Sequence, residues 1–219
     1  MENILVIYGG KSVEHDISII TGLQAMRSIS AEYQIIPIYV DAEGKFWTGE
    51  NLDDVNIYAD FEALVKNKKQ VLFGFGEGCV YIKKRFSLKR INPSSALVCM
   101  HGINGEDGCI SAILQMSGIN YTCPCMQSSA ICMDKLATKI MLIHYGIDVV
   151  DFVSSDQNLS LQEIAKKLQF PIIVKPSRCG SSIGIEKCDN LKQLKFAVEV
   201  AQKYDNKVLL KHFSQNGRE

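Results

Sequence analysis

The residues best suited to chemistry lie in PIIVKPSRCGSSIGIEK, where an apolar run leads to Lys175 and then to a loop of serines and glycines. A second strand-like run, Ser182–Lys187, follows, so we expect two strands joined by this loop. Backbone N–H groups of such a loop can surround a phosphate beside a lysine charge, and Gly180 and Gly184 allow close backbone approach. An ordinary hairpin with a solvated lysine fits the segment equally well, because it contains no G-x-x-x-x-G-K-[ST] motif.

A second group of charged residues follows the strand-like start of the chain, in YGGKSVEHDIS. Ligands of open α/β sheets collect at the carboxyl ends of strands, and two glycines before a helix start suit that geometry. Glu14, His15 and Asp16 are therefore expected at the mouth of such a site. Asp16 or Ser18 could instead cap the helix, which accounts for one of these residues but not for the set of charges.

Another candidate segment, HGINGEDG, follows the apolar run ALVCM. His101 takes a further carboxyl-end position, whereas Glu106 and Asp107 favour a helix N-terminus through the helix dipole. A lone histidine in this setting is more often structural than functional, so this segment alone decides nothing.

Two lysines in SSAICMDKLATK are the last candidates. Lys135 and Lys139 are four residues apart, so a helix would place both on one face. Such a face is normally solvated, and the spacing alone indicates no site.

The composition favours a globular chain without diffuse attraction to nucleic acid or anionic membranes. Its 219 residues are 47% hydrophobic and 22% charged, and 24 Lys+Arg balance 24 Asp+Glu. No apolar run approaches the roughly 20 residues that span a bilayer. The chain begins almost at once with the strand-like ILVIY, so we expect no signal peptide and a cytoplasmic location.

Eight cysteines are many, but several lie in apolar stretches, where a reduced thiol acts as a small hydrophobic side chain. Cys123 and Cys125 are the only close pair in the sequence. Since no histidine or second cysteine pair stands nearby at zinc-ligand spacing, we expect no metal site here.

Strand-like and helical segments alternate through the first half, which predicts a mostly parallel sheet with helices on its faces. A break at Cys123-Pro-Cys125 separates residues 1–123, expected to be a three-layer α/β domain, from residues 124–219, expected to be a second α/β unit. Ser160-Leu-Gln-Glu163 is a capping box and the clearest helix start. The predicted elements are strand 3–10, a helix from about 18, strand 33–40, a hairpin over 41–47, a helix over 60–66, a hairpin at FGFGEG, strand 96–100, helix 108–118, helix 129–145, a helix from 160, the strand pair within 171–187, helix 190–204 and strand 207–213.

Taken together, these segments occur in the order and wording of one family: the chain resembles the D-alanine–D-alanine ligases of the ATP-grasp superfamily. The shared segments are GGKSVEHDIS, HGINGEDG, the SSAICMDK helix, VKPSRCGSSIGI and the final VLLKHF and GRE, and they span residues 5–219. Several separated motifs in order are far more specific than any one of them. The resemblance implies a pre-ATP-grasp domain over 1–123 and a truncated ATP-grasp α+β domain over 124–219.

The activity that the resemblance implies uses ATP, with Mg²⁺ as cofactor, to phosphorylate one D-alanine, whose acyl phosphate is attacked by the amine of a second D-alanine. The product serves peptidoglycan synthesis. Glu14 would bind the ammonium group of the first D-alanine beside His101, and Ser181 would hydrogen-bond Glu14. Glu14 and Ser181 are thus the implied catalytic residues. The implied ATP contacts are Lys135, Lys175, Ser181, Ser182, backbone groups near His212 and Phe213, and Glu219 at the ribose.

The sequence departs from the family pattern in three places. At the adenine hinge, where the family commonly has a glutamate, the chain has Lys211, which cannot accept the adenine amino proton. Ser111 and Ala112 stand where Gln-Gly is usual. The family's third domain, with its acidic and asparagine Mg²⁺ ligands, would follow Glu219. We therefore expect an incomplete chain that has no ligase turnover by itself.

Alternatives remain open at this point. A relative that joins D-alanine to D-lactate or D-serine is one, because the residues that choose the second substrate lie largely in the part not present. A non-catalytic nucleotide- or amino-acid-binding remnant is a rival from another class, and Lys211 argues mildly for it. D-alanine and ATP are the expected partners, with no nucleic acid and no membrane; a homodimer is left open.

Overall fold

Strand β1, Glu2–Gly9, is buried from Leu5 onward, because both faces of its sheet are covered. It pairs in parallel with β2, Tyr33–Val40, on one side and with β7, Ser95–Val98, on the other. These strands belong to the first of two compact units, Met1–Ala130 and Ile131–Glu219. The computed structural model describes residues 1–60, 64, 66, 68–157 and 159–213.

In the described part of the first unit, seven strands form one sheet in the order β6-β5-β4-β3-β2-β1-β7. Only the two pairs of β1 are parallel, so the prediction of a mostly parallel sheet is wrong. After β2 the chain turns back at Asp41, whose Oδ1 accepts hydrogen bonds from the N–H groups of Glu43 and Lys45, and such short turns join antiparallel strands. The antiparallel strands are β3, Phe46–Thr48, β4, Lys69–Gly74, β5, Cys79–Lys83, and β6, Leu88–Ile91.

The sheet lies between two helical layers. Ile7 faces the core that contains helix α2, Cys109–Ser117, whereas Tyr8 faces the core that contains helix α1, His15–Ser28. Successive strand residues point to opposite faces, so β1 supplies both cores. Helix α1 approaches so closely that a Cβ on Gly22 would lie 2.5 Å from Tyr8 Cγ. The predicted three-layer arrangement is confirmed.

Helix α1 begins at His15, three residues before the predicted start. Ser18 lies inside the helix and does not cap it. Its hydroxyl accepts a hydrogen bond from Gly9 N–H and donates one to the Cys99 carbonyl, each at 2.8 Å. Ser18 therefore links α1 by hydrogen bonds to the ends of the two strands whose loops carry the candidate residues. Asp16 lies in the first turn of the helix and complements the helix dipole.

The second unit contains an antiparallel sheet, which in the described residues has the order β10-β9-β11-β8. Its core includes Ile164 and Leu194, one from each helix that packs on this sheet. The capping box of Ser160 and Glu163 is confirmed. The elements are α4, Lys135–His144, β8, Phe152–Ser154, α5, Leu161–Leu168, β9, Ile172–Pro176, β10, Glu186–Cys188, α6, Leu191–Ala201, and β11, Val208–His212.

Several element predictions need correction. The helix predicted over 129–145 is two helices, α3, Met126–Met133, and α4, which are separated at Asp134. The strand predicted over 182–187 is shorter, because 181–184 form turns and β10 begins at Glu186. The predicted helix over 60–66 falls partly on 61–63 and 65, which lie outside the described residues. The hairpins at 41–47 and FGFGEG, helices 108–118 and 190–204, and strand 207–213 are confirmed.

Candidate functional site

The loops that follow β1 and β7 lie side by side, because these neighbouring parallel strands end at the same edge of the sheet. Gly102 has a left-handed backbone, φ +67°. A Cβ at this position would lie 2.3 Å from Ser12 Oγ and 2.6 Å from Glu14 Oε2. The carboxylate of Glu14 thus lies against the backbone of the HGINGEDG loop, as expected for residues at the carboxyl ends of adjacent strands.

His101 is held by two neighbours. Its Nε2 lies 2.9 Å from Thr21 Oγ1 on α1, and the same hydroxyl lies 3.0 Å from the Ile17 carbonyl. The other ring nitrogen, Nδ1, lies 3.7 Å from Glu106 Oε1. Glu106 also accepts a hydrogen bond from Gly102 N–H at 3.0 Å. His101 and Glu106 therefore fix the loop that contacts Glu14.

Asp107 and His15 organise the same two loops. Asp107 accepts hydrogen bonds from the N–H groups of Asn104 and Cys109, at 2.8 and 3.0 Å, and so stabilises the start of α2. His15 Nδ1 donates to the Gly10 carbonyl at 2.7 Å, which leaves Nε2 to accept from Tyr39 OH at 3.1 Å. The double-glycine loop is thus fixed by a side chain that the sequence suggested as a site residue.

In the second unit, the loop after β9 has an unusual backbone. Ser181 and Ser182 have φ of +45° and +58°, and Gly184 has φ +68°. A left-handed conformation costs a non-glycine residue about 1–2 kcal/mol, and such strain collects at functional sites. Ile183 N–H donates to the Gly180 carbonyl at 3.2 Å within these turns. We call residues 177–184 the phosphate loop, after the role that the sequence predicts for it.

Lys135 lies at this loop. Its backbone N–H donates to the Ser177 carbonyl at 3.0 Å, and its Nζ donates to the carbonyls of Ser177 and Cys179 at 3.3 and 2.6 Å. Burial lowers the pKa of Lys135, against the opposing effects of Cys179, Asp205 and Asp134. The ammonium group can donate three hydrogen bonds, and two go to carbonyl oxygens of the loop.

Lys175 lies on β9 opposite Leu209 of β11. It is partly exposed, whereas the neighbouring Val174 and Pro176 are buried. The alternation of a strand therefore points Lys175 away from the core. Ser182, the other predicted ATP contact in this segment, lies in the loop after β9 and has a left-handed backbone like its neighbour Ser181.

A polar network that sequence reasoning missed surrounds Lys135. Asp134 caps α4 and accepts a hydrogen bond from the buried Ser177 Oγ at 2.6 Å. Arg178 binds Asp205 through its backbone N–H and its guanidinium group. An aspartate just before a helical lysine was the available signal, but the helix was predicted to run through this position.

At the predicted adenine hinge, the backbone N–H groups of His212 and Phe213 already form hydrogen bonds within the protein. His212 N–H donates to the Asp151 carbonyl at 3.2 Å, and Phe213 N–H donates to the Pro171 carbonyl at 2.9 Å. The His212 ring lies 2.9 Å, through Nδ1, from the Leu168 carbonyl. Glu219, the predicted ribose ligand, lies outside the described residues.

The remaining expectations concern metals and membranes. Within the described residues, no three His, Cys, Asp or Glu side chains are grouped so that they could hold a metal ion. The Sγ atom of Cys125 lies 3.3 Å from Ser128 Oγ, and hydrogen bonds from Ser128 lower the pKa of this exposed thiol. No helix in the part of the chain described is long and apolar enough to cross a membrane.

Comparison with known proteins identifies the two halves. The family described as D-ala D-ala ligase N-terminus matches residues 3–124, and that described as D-ala D-ala ligase C-terminus matches residues 141–219. The D-alanine–D-alanine ligase of Thermosipho melanesiensis is 38% identical over 100% of this chain and 61% of its own length. That of Staphylococcus carnosus is 32% identical over 95% of this chain and 59% of its own.

Solved structures agree with this result. The D-alanine–D-alanine ligase of Helicobacter pylori superposes with a TM-score of 0.84 at 25% identity, over 99% of this chain and 65% of that one. The VanG D-Ala:D-Ser ligase of Enterococcus faecalis gives 0.83 at 27% identity, over 97% and 62%. The chain thus spans about 60% of the length of the curated relatives it matches.

Proposed function

The chain belongs to the D-alanine–D-alanine ligase family, and from this premise we propose that it supplies the first D-alanine site and part of the ATP site of an ATP-dependent ligase. The γ-phosphoryl group of ATP passes to the carboxylate of one D-alanine, and ADP leaves. The amine of a second D-alanine then attacks the acyl carbon, and inorganic phosphate leaves. The product is the D-alanyl-D-alanine used in peptidoglycan synthesis, and since ATP is drawn from the cytoplasm, a cytoplasmic location is part of the proposal.

One observation carries the nucleotide part of the proposal. Lys135 Nζ lies 2.6 Å from the carbonyl oxygen of Cys179, although these residues are 44 positions apart. A cation is thereby held at the loop that contains the strained turn of the exposed residues Ser181 and Ser182. In phosphoryl transfer, fixed cations and N–H groups stabilise charge that spreads over the phosphate oxygens. We assign Lys175 a second phosphate contact.

The carboxylate of Glu14 is the proposed ligand of the D-alanine ammonium group. It lies at the edge of the sheet where β1 and β7 end, against Gly102. A carboxylate attracts an ammonium group and repels phosphates. Glu14 should therefore contribute to the affinity for D-alanine and not to that for ATP, with His101 holding the neighbouring loop.

Relatives of this kind use Mg²⁺ with ATP, which neutralises phosphate charge when it is bound. The described residues offer no cluster of three carboxylate, histidine or cysteine ligands for the ion. They therefore do not fit a metal site by themselves, and the steps assigned to this chain concern binding of D-alanine, orientation of the phosphates and electrostatic stabilisation by lysines.

Calorimetric titration of the chain with D-alanine, and separately with ATP, tests the proposal. A carboxylate–ammonium hydrogen bond contributes about 1.5–3 kcal/mol, so Glu14→Gln should weaken D-alanine binding roughly ten- to a hundredfold. ATP binding should not change. The exposed Glu32 offers the matched control Glu32→Gln, which should alter neither affinity. Loss of ATP affinity, or unchanged D-alanine affinity, in Glu14→Gln would refute the assignment.

D-serine and D-lactate are the alternatives to D-alanine as the second substrate. The likeness to the Enterococcus faecalis D-Ala:D-Ser ligase keeps D-serine as a specific second candidate. Turnover measured with each nucleophile, by a protein in which this chain is continued over the remaining length of its relatives, distinguishes them. A non-catalytic remnant would bind neither D-alanine nor ATP in the titrations above, or would bind them without turnover in the longer protein.

A further inference from the structure

A carboxylate that is only 8% exposed stands directly before Lys135. Asp134 is the N-cap of α4, and its Oδ1 accepts hydrogen bonds from two N–H groups of the first turn. The same oxygen accepts a hydrogen bond from Ser177 Oγ at 2.6 Å, and Oδ2 lies 3.3 Å from Lys207 Nζ. A helix cap needs only the backbone contacts, so the contacts with Ser177 and Lys207 have a separate consequence.

Ser177 is the residue through which the carboxylate meets the phosphate loop. It is fully buried, its hydroxyl also accepts a hydrogen bond from Leu136 N–H at 3.1 Å, and its carbonyl accepts from both nitrogens of Lys135. Its own N–H donates to the Lys207 carbonyl at 2.9 Å. The start of α4 and the start of the phosphate loop are thus joined by several short bonds around one carboxylate.

The next loop residue is fastened from the other side. The Arg178 guanidinium binds Asp205, whose side chain is only 2% exposed, with Nε and Nη2 both within 3.2 Å of Oδ1. Because two guanidinium nitrogens bind the carboxylate, the orientation of Arg178 is fixed as well as its distance. Because both Ser177 and Arg178 are fixed, a change at Asp134 acts on a loop whose other attachment remains intact.

We propose that Asp134 is a positioning residue for nucleotide binding: its charge, acting through Ser177, holds the Lys135 ammonium group at the phosphate loop, where that group meets the phosphates. The inference rests on the ATP binding proposed above. Asp134 touches no phosphate itself, and as an anion it would repel one. Its effect on ATP affinity is therefore exerted through Lys135.

Asp134→Asn separates this role from helix capping. Asparagine caps helices about as well as aspartate, so α4 should still form. The substitution removes the charge that binds Lys207 and halves, approximately, the strength of the hydrogen bond from Ser177, since charge-assisted bonds are about twice as strong as neutral ones. The same substitution at Asp54, the exposed N-cap of the short 3₁₀ helix Val55–Ala59 in the first unit, is the matched control.

The experiment compares the affinities of the chain for ATP and for adenosine, so that their ratio isolates the phosphate contribution. Four proteins form a double-mutant cycle: the unaltered chain, Asp134→Asn, Lys135→Met and the double variant. We expect Asp134→Asn to lower the ratio about five- to tenfold, as one charge-assisted hydrogen bond allows, and to leave adenosine affinity unchanged. In the Lys135→Met background the same substitution should have little further effect.

The inference is overturned if Asp134→Asn and Lys135→Met lower the ratio of ATP to adenosine affinity independently, so that their effects multiply in the double variant. It is also overturned if Asp134→Asn lowers the affinities for ATP and adenosine equally, because that result indicates a merely structural role. An effect of Asp54→Asn as large as that of Asp134→Asn would do the same. If the unaltered chain does not prefer ATP over adenosine, the proposed nucleotide site itself is wrong. Should Asp134→Asn fail to fold, the cycle with Ser177→Ala, which removes one hydroxyl, decides the question in the same way.

Discussion

Replacement of Gly102 by alanine would test the proposed D-alanine site at its closest contact. The new methyl group would lie 2.3 Å from Ser12 Oγ and 2.6 Å from Glu14 Oε2, distances that real Cβ contacts essentially never show. Both opposing atoms are ends of side chains, so they can rotate away without backbone movement. The substitution should therefore displace the Glu14 carboxylate while the loop persists.

The expected effects on stability and on binding differ in size. Alanine at φ +67° costs about 1–2 kcal/mol of backbone strain. Rotation of Ser12 also removes the hydrogen bond of 3.1 Å that its hydroxyl accepts from Glu14 N–H. This loss adds about 0.5–1.5 kcal/mol to the destabilisation. Displacement of the carboxylate removes an ammonium contact of about 1.5–3 kcal/mol, so D-alanine affinity should fall roughly ten- to a hundredfold.

Gly76 provides the control, because its φ of +73° imposes similar strain and a Cβ there would meet nothing within 4 Å. Urea unfolding should show that Gly76→Ala lowers the free energy of unfolding by about 1–2 kcal/mol. Calorimetry should show unchanged D-alanine affinity. If Gly102→Ala also binds D-alanine normally, the ammonium site does not include Glu14. If both variants lose D-alanine affinity equally, the loss follows from strain and the assignment again fails.

Three further predictions concern the second unit. Lys175→Ala should weaken ATP binding roughly ten- to a hundredfold through one lost charge-assisted contact, and calorimetry showing unchanged affinity would contradict the phosphate role. Burial raises the pKa of Asp205, but hydrogen bonds led by Arg178 outweigh it and hold the pKa below its ordinary value. The contribution of Asp205 to the free energy of unfolding is therefore full above the unfolded pKa of about 3.9 and is lost as pH falls through the lower folded pKa. Because the Arg178 side chain is half exposed and stays solvated without its partner, Asp205→Ala should lower the free energy of unfolding by about 1.5–3 kcal/mol at neutral pH. It should also flatten the acid slope in urea titrations, and an unchanged slope would refute the cause. Ser160→Ala should lower the free energy of unfolding, measured in urea, by about 1 kcal/mol, because the Ser160 hydroxyl accepts a hydrogen bond from Glu163 N–H. An unchanged free energy of unfolding would mean that the capping box does not stabilise the unit.

The parts of the fold that could be predicted are those encoded by local signals. The capping box at Ser160 involves residues three apart, and β1 is an apolar run whose burial on both faces follows from its composition. Strand direction is different, because it depends on what each strand pairs with. β6, with mostly exposed residues, and the three-residue β8 carry almost no pattern, so neither was predicted.

The site divides in the same way. Glu14 and His101 could each be placed at a strand end, where loops of α/β sheets meet, whereas their closeness was predicted only from the family resemblance. The contacts of Asp134 with Ser177 and Lys207 span 43 and 73 positions, and nothing in the local pattern links those residues. The antiparallel pairing of β9 and β11 brings Ser177 next to Lys207, and Asp134 meets both residues only through the tertiary fold.

The position of the Lys135 ammonium group explains why the proposed site should favour a phosphate ligand. Burial lowers the pKa of Lys135 and so disfavours the charged form. The carbonyl oxygens of Ser177 and Cys179 stabilise that form only as dipoles. A phosphate brings full negative charge to the same place, and in a half-buried setting its attraction is stronger than it would be in water. Lys135 therefore gains more from a phosphate than an exposed lysine would, while Asp134 and the strained loop hold it where that gain is available.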